Sequence, residues 1–284
     1  MKPDAAPLVV DNHGHIGKFE AGDIVEGYDP DLYLGGSHQS FLSLMDAVGV
    51  HVAVLHTNRP WANQYHRRVI REHPTRFASV CKIAEREGAS DRNLADLRRY
   101  VEEWGFSGLY YDPPREDPFL HFYTDDSRPL WDLIDSLRMP VCLVSYQQNF
   151  QTLWPEALKV LDDHPTLSIE IIHGLHPASL LAGGHRVVIP DSAMELVKGY
   201  AVYLDLLPGH REGTYGPNDE VIQVLYDSFG PSKLIWGSEF TKVPSPTAEQ
   251  YRYQLGYLKR RCAYMPQDDL RLIMGENARR FFRL

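Results

Sequence analysis

The sequence predicts an α/β protein, a single (β/α)₈ barrel of the TIM type, on three observations. Eight short apolar, β-branched runs are spaced along the chain. Segments with helical spacing of apolar residues separate them, and strands alternating with helices imply parallel βαβ units. The connections are also unequal, terse from helix to strand and long from strand to helix. That asymmetry gathers the elaboration at the C-terminal ends of the strands, where such barrels build their sites. A doubly wound open sheet is the alternative for alternating elements.

The predicted strands are Leu8–Asp11, His51–Leu55, Phe77–Cys81, Gly108–Tyr111, Val141–Val144, Ser168–Ile172, Ala201–Asp205 and Leu234–Gly237. Among the helices, Ser90 stands where an N-cap belongs, ahead of Leu94, Leu97, Val101 and Trp104 at three- and four-residue steps. Ser127 is a second predicted cap, with Pro129 in the first turn and Leu130, Leu133, Ile134 and Leu137 on one stripe. Val221, Leu225 and Phe229 mark a third helix. The segment Pro266–Leu284 reads as an extra C-terminal helix packing Leu270, Ile273 and Phe281. Helix-to-strand links are as short as Gly49-Val50 and Met139-Pro140. The strand-to-helix links Gly14–Gly36, Asp112–Asp126, Gly174–Asp191 and Leu206–Asn218 are long.

No internal repeat, low-complexity tract or linker divides the 284 residues, so residues 1–284 are expected to form one domain. Hydrophobic residues make up 43% and charged residues 24%, a globular balance that can form a core without disulfides. The formal charge of −9 and the lack of a Lys/Arg run argue against a nucleic-acid partner. No apolar stretch reaches transmembrane length, and no apolar h-region precedes the first strand, which argues against a membrane or secreted protein. Cys81, Cys142 and Cys262 are far apart and form no CxxC pair, as expected of reduced cysteines in the cytoplasm. The expected partner is a small-molecule substrate, and a homo-oligomer is compatible with this composition.

The 13 histidines are the unusual feature. Asp11-Asn12-His13-Gly14-His15 follows the first strand directly, and alternate residues of an extended chain face one side. His13 and His15 thereby converge, and two imidazoles so placed suit a divalent metal such as Zn²⁺; the bland alternative is a polar loop with two solvated histidines. His173 closes the sixth strand, His176 follows it, and His56 ends the second; each alone is a common structural histidine. His210, in the seventh loop, reads as solvated. The eighth strand runs into Trp236-Gly237-Ser238-Glu239-Phe240, putting a carboxylate where it can ligate a metal or take a proton from water. Its structural alternative is a helix cap or a loop ion pair. Tyr110-Tyr111 at the fourth strand's end and Ser145-Tyr146 at the fifth's are candidate substrate contacts. The aromatic loop Phe119–Tyr123 is a further wall, or packing on its own rim. No G-x-S-x-G elbow and no Gly-rich phosphate cradle is present.

The ordered set of D-x-H-x-H, the strand-six His-Gly, W-G-S-E-F and Ile273-Met274-Gly275-Glu276-Asn277-Ala278-Arg279-Arg280-Phe281 resembles the amidohydrolase superfamily. More narrowly it resembles the amidohydrolase-related branch of decarboxylases and lactonases. The resemblance implies a distorted (β/α)₈ barrel, with His13 and His15 as first-strand metal ligands. It also implies that His173 positions or deprotonates water or binds substrate, and that Glu239 stands where the family normally has Asp. Two departures follow. The strand-five histidine of the family is replaced by Ser145 or Tyr146, which should weaken Zn²⁺ binding because catalytic sites normally supply three protein ligands. Glu239 is one methylene longer than the usual acid. The lactonase branch shares the first departure and includes members that need no metal.

These residues together lead to the expectation of a hydrolase acting on a small cyclic, amide or lactone substrate. In that reading Glu239 and His173 are catalytic, and His13, His15 and Glu239 hold a metal, weakly or not at all. His56, Tyr110, Tyr111, Ser145, Tyr146 and His176 line the substrate site. The alternatives are a metal-dependent decarboxylase of an unsaturated or aromatic acid, and a barrel that only binds a ligand. Decarboxylases of aromatic acids in the family often carry Glu at the first position of H-x-H, and retention of His13 tilts the reading toward hydrolysis.

Overall fold

Eight parallel strands form one sheet in the order of the chain: β1 Val10–Gly14, β2 Val52–Leu55, β3 Phe77–Cys81, β4 Gly108–Tyr111, β5 Val141–Val144, β6 Ser168–Ile172, β7 Ala201–Leu206 and β8 Leu234–Trp236. The computed structural model describes residues 7–17, 37–57, 59–113, 122–146, 150–175, 187–208, 219–240 and 247–284. A parallel bridge between Gly14 and Phe240 brings β1 against the end of β8 and closes the ring. The protein is thus a TIM-type (β/α)₈ barrel. Among the described residues, no helix is long and apolar enough to cross a membrane.

The helices wrapped outside are α1 His38–Val48, α2 Asn63–Glu72, α3 Asp91–Glu102, α4 Arg128–Ser136, α5 Phe150–Asp163, α6 Asp191–Gly199, α7 Asp219–Phe229, α8 Ala248–Leu255 and α9 Tyr257–Arg261. The Ser90 hydroxyl caps α3 by accepting from the Asn93 amide. Ser127 does not cap α4 in that way. Its own backbone is already helical, and its hydroxyl turns back to the Phe122 and Thr124 carbonyls, bracing the preceding turn.

The C-terminal segment departs from a single helix. It runs as α10 Gln267–Arg271, a π turn at Leu272–Glu276 and α11 Asn277–Phe282. The wide turn sits where Gly275 meets the Leu8 carbonyl so closely that an added Cβ would lie 2.2 Å from that oxygen. Asn277 then donates to the Pro231 and Leu234 carbonyls, both at 2.8 Å, tying the segment beneath β8. Ala278, Phe281 and Phe282 join Val10, Val54, Val80 and Ile235 to fill the barrel floor. Burying each large apolar side chain there contributes roughly 1.5–3 kcal/mol. The larger core lies between strands and helices, around Trp131, Trp154 and Trp236.

Candidate active site at the C-terminal ends of the strands

The first strand runs farther than its apolar run predicts. It continues through His13 to Gly14, and its register against β2 slips by one residue between Asp11 and Gly14. This bulge breaks simple alternation. Asn12 donates to Glu170 of β6, and the next residue, His13, also reaches the barrel interior, where its Nδ1 lies 2.8 Å from Asp205 Oδ2 of β7. His15 follows, its Nδ1 2.9 Å from the His56 carbonyl. Those two contacts commit Nδ1 of both rings to the protein and make Nε2 the ligating nitrogen of each.

Around His13 the other imidazoles gather. His56 stacks on it at 4.5 Å between centroids, His173 at 5.7 Å, and His15 sits tilted at 4.9 Å. His173 Nε2 is 3.8 Å from Glu239 Oε1, and both residues are buried. Both also adopt left-handed backbone, at φ 66° and 54°, which is uncommon for residues with a side chain and is found preferentially at functional sites. Gly174, also left-handed, passes the Asp205 carbonyl so closely that an added Cβ would sit 3.1 Å from it. The W-G-S-E segment is held from below. Asp11 accepts from the Ser238 amide at 3.0 Å, the Ser238 hydroxyl at 2.5 Å and the Tyr251 hydroxyl at 2.6 Å. Gly237 has no room for a side chain, since a Cβ would lie 2.7 Å from both Asp205 Oδ1 and His13 Cβ.

Burial dominates the electrostatics. It pushes the Asp205 carboxyl up to about 7, with Glu239 adding to the rise and the neighbouring His173 opposing it. Burial and the Asp205 charge raise Glu170 well above the usual carboxylate range, against the hydrogen bonds from Asn12 and Cys142. Asp11 is raised by burial too, although its hydrogen bonds oppose the shift.

A ring nitrogen of His13, a ring nitrogen of His173 and a Glu239 oxygen all lie within 4.8 Å of one another. Two imidazoles and one carboxylate suit a divalent metal, and Asp205 behind His13 is the outer carboxylate that orients such ligands. The residues therefore fit a metal; the tight group adds His173 to the expected His13 and Glu239, and His15 lies beside it, 4.9 Å from His13 between ring centroids.

The predicted substrate contacts divide. His56 and Tyr110 meet edge to face at 5.3 Å inside the mouth, and Tyr146 donates to Asp112 at 2.7 Å beside them. Tyr111 does not reach the site. Strand alternation turns it outward, where it packs on Phe122 and Trp131 at 5.6 Å each. Ser145 is fully buried one step before Tyr146, past the end of β5. His176, His210 and His121 lie outside the described residues.

Four polar residues of the interior escaped sequence reasoning: Asn12, Glu170, Asp205 and Lys82. Lys82 follows β3 directly, pairs with Glu85, and lies 5.3 Å from the centroid of the Tyr110 ring. The overlooked signal was a lone charged residue between apolar neighbours within a strand, as in Ile169-Glu170-Ile171 and Leu204-Asp205-Leu206. Inside a closed barrel such positions face the centre.

The amidohydrolase family model matches residues 10–284. No curated protein matches the chain in sequence. Solved structures similar to it include an amidohydrolase from Burkholderia multivorans, at 16% identity and TM-score 0.72 over 98% of this chain and 99% of that one. A probable 2-pyrone-4,6-dicarboxylic acid hydrolase from Acinetobacter baumannii matches at 16% and 0.69, over 97% and 99%. A dihydroxybenzoic acid decarboxylase from a Polaromonas species, with bound manganese, matches at 17% and 0.69, over 98% of each chain. At these identities the likeness is one of fold.

Proposed function

Because the chain belongs to the amidohydrolase family, we propose that it is an enzyme that activates water against a small cyclic ester or amide, a lactone being the leading candidate. The observation that carries this reading is the convergence of His13, His173 and Glu239 in one buried group, with Asp205 fixing His13 from behind. His13, His173 and Glu239 would hold a divalent metal, which when bound lowers the pKa of water and polarises a carbonyl. Glu239 takes the proton from the attacking water at a carboxylate oxygen. His173, 3.8 Å from that carboxylate, orients the water or the developing oxyanion. His56 and Tyr110 supply an apolar wall for the ring, and the Lys82–Glu85 pair lies behind it.

A second reading, decarboxylation of an unsaturated or aromatic acid, draws on the same group. Protonation of carbon needs an acid in the site, and Asp205, whose carboxyl burial pushes up to about 7, is a group there that can hold a proton. A panel of lactones and hydroxybenzoates separates the two. Ring opening releases acid and is followed with a pH indicator, whereas decarboxylation releases CO₂. Turnover of lactones without CO₂ supports the first reading. CO₂ release with no acid from any lactone would replace it with the second.

A further inference from the structure

The floor of the barrel, opposite the mouth, carries a second polar concavity. Arg138, Arg280 and Arg283 line one depression of about 80 Å³, together with Ser168, Tyr203 and Phe281. Arg138 stands between α4 and β5, Ser168 opens β6, Tyr203 lies on β7, Arg280 lies within α11 and Arg283 follows it. Several other surface arginines are paired with carboxylates, Arg128 with Asp163, Arg261 with Asp219 and Arg279 with Glu276, while the exposed Arg71 and Arg98 stand singly among the described residues. None of the three floor arginines has a carboxylate partner among the described residues. In a chain of net charge −9, three arginines without a carboxylate partner lining one hollow are unexpected.

The backbone adds an independent observation. Among the described residues four without a glycine's freedom are left-handed. Two are His173 and Glu239 at the mouth, and the other two are Arg138 at φ 50° and Arg283 at φ 58°. Both arginines follow helix ends, where glycine adopts this conformation at least cost. A favourable charge at a helix C-terminus accounts for each arginine separately. It does not account for three of them lining a shared hollow.

We propose that this depression binds a phosphate group. Guanidinium forks match the oxygens of a tetrahedral dianion and hold it by paired, charge-assisted hydrogen bonds. Three of them, with the Ser168 hydroxyl, suit phosphate better than a single carboxylate. The volume suits one such oxyanion and not a nucleotide, and the rings of Tyr203 and Phe281 flank it for the organic part of a phosphomonoester. A phosphate held there ties the α4–β5 corner and the start of β6 to α11, bracing the floor.

The test is calorimetric titration of the full chain with inorganic phosphate, alongside thermal melts in phosphate or acetate at equal ionic strength. Phosphate should bind and raise Tm where acetate does not. Replacing Arg138→Ala and Arg280→Ala together should weaken phosphate binding about tenfold or more. Arg138→Lys with Arg280→Lys, which keeps charge but loses the fork, should fall between. Arg279→Ala, whose side chain pairs with Glu276, should bind as the wild type does. Tighter binding of phenyl phosphate than of inorganic phosphate assigns the site to a phosphomonoester, and equal binding assigns it to free phosphate. Equal stabilisation by acetate, or undiminished phosphate binding in the double alanine variant, overturns the proposal.

Discussion

Glu239 and Gly237 stand two residues apart and answer different questions about the mouth. Glu239→Gln keeps length and shape but cannot accept a proton. On a substrate that the panel identifies, turnover should fall by about 10²-fold or more while KM changes less, because the lost interaction belongs mainly to the transition state. Unchanged turnover would remove Glu239 from the chemistry. Glu239→Asp should retain part of the activity if the longer acid is only tolerated, and almost none if the site is built around its reach. Gly237→Ala tests packing instead. Its methyl group would sit 2.7 Å from Asp205 Oδ1 and from His13 Cβ, so the His13–Asp205 contact must open. A stability loss of about 1–3 kcal/mol is expected, with a fall in kcat; a melt and a rate constant both equal to wild type would show that the two strands yield freely.

The link between α2 and the first strands makes a pH prediction. His66 of α2 is fully buried, hydrogen-bonded through Nδ1 to the Ser79 hydroxyl of β3 at 2.8 Å and to the backbone of Ile16. Burial lowers its pKa from 6.5 to about 3. The folded chain then keeps His66 neutral while the unfolded chain protonates it below 6.5. Stability contributed by this residue is therefore full above 6.5 and is lost as pH falls toward 3, by up to about 1.4 kcal/mol per unit. His66→Gln should show a flatter decline across that window in urea unfolding at a series of pH values. A slope identical to wild type would mean that the ring is protonated inside the fold. At the other end of the molecule the C-terminal segment illustrates why helical period alone misjudged an element. Leu270, Ile273 and Phe281 keep the spacing of one helix, but a π turn at Leu272–Glu276, where Gly275 passes the Leu8 carbonyl, interrupts it.

For the molecule as a whole, the barrel sets what a metal can do. If His13, His173 and Glu239 are the ligands, one Zn²⁺ or Mn²⁺ ion per chain should bind there and be lost in His13→Ala with His173→Ala. Equilibrium dialysis reads the stoichiometry. On the outer surface His38, Glu72 and His73 also bring ligand atoms within 4.8 Å of one another, so His73→Ala serves as the control that subtracts any metal held there. Equal metal in the barrel double variant and wild type would count against the ligand set.

Fold and approximate site were both readable from residues in order along the chain. Apolar runs, caps and the inequality of connections are local patterns, and six of the eight strands begin where those runs predict. The histidines and Glu239 were found because they interrupt or end such runs. Closure of the sheet decided what local pattern cannot hold. It carried Glu170 and Asp205 from unremarkable strand positions to the centre of the barrel, 158 and 192 residues from their partners Asn12 and His13. It also turned Tyr111 outward, and, through one bulged residue in β1, placed Asn12 and His13 both inside. The physical reason is common to all of these. A strand's own residues specify its two faces, but which face looks into the barrel, and which distant side chain waits there, is set only when the eighth strand meets the first.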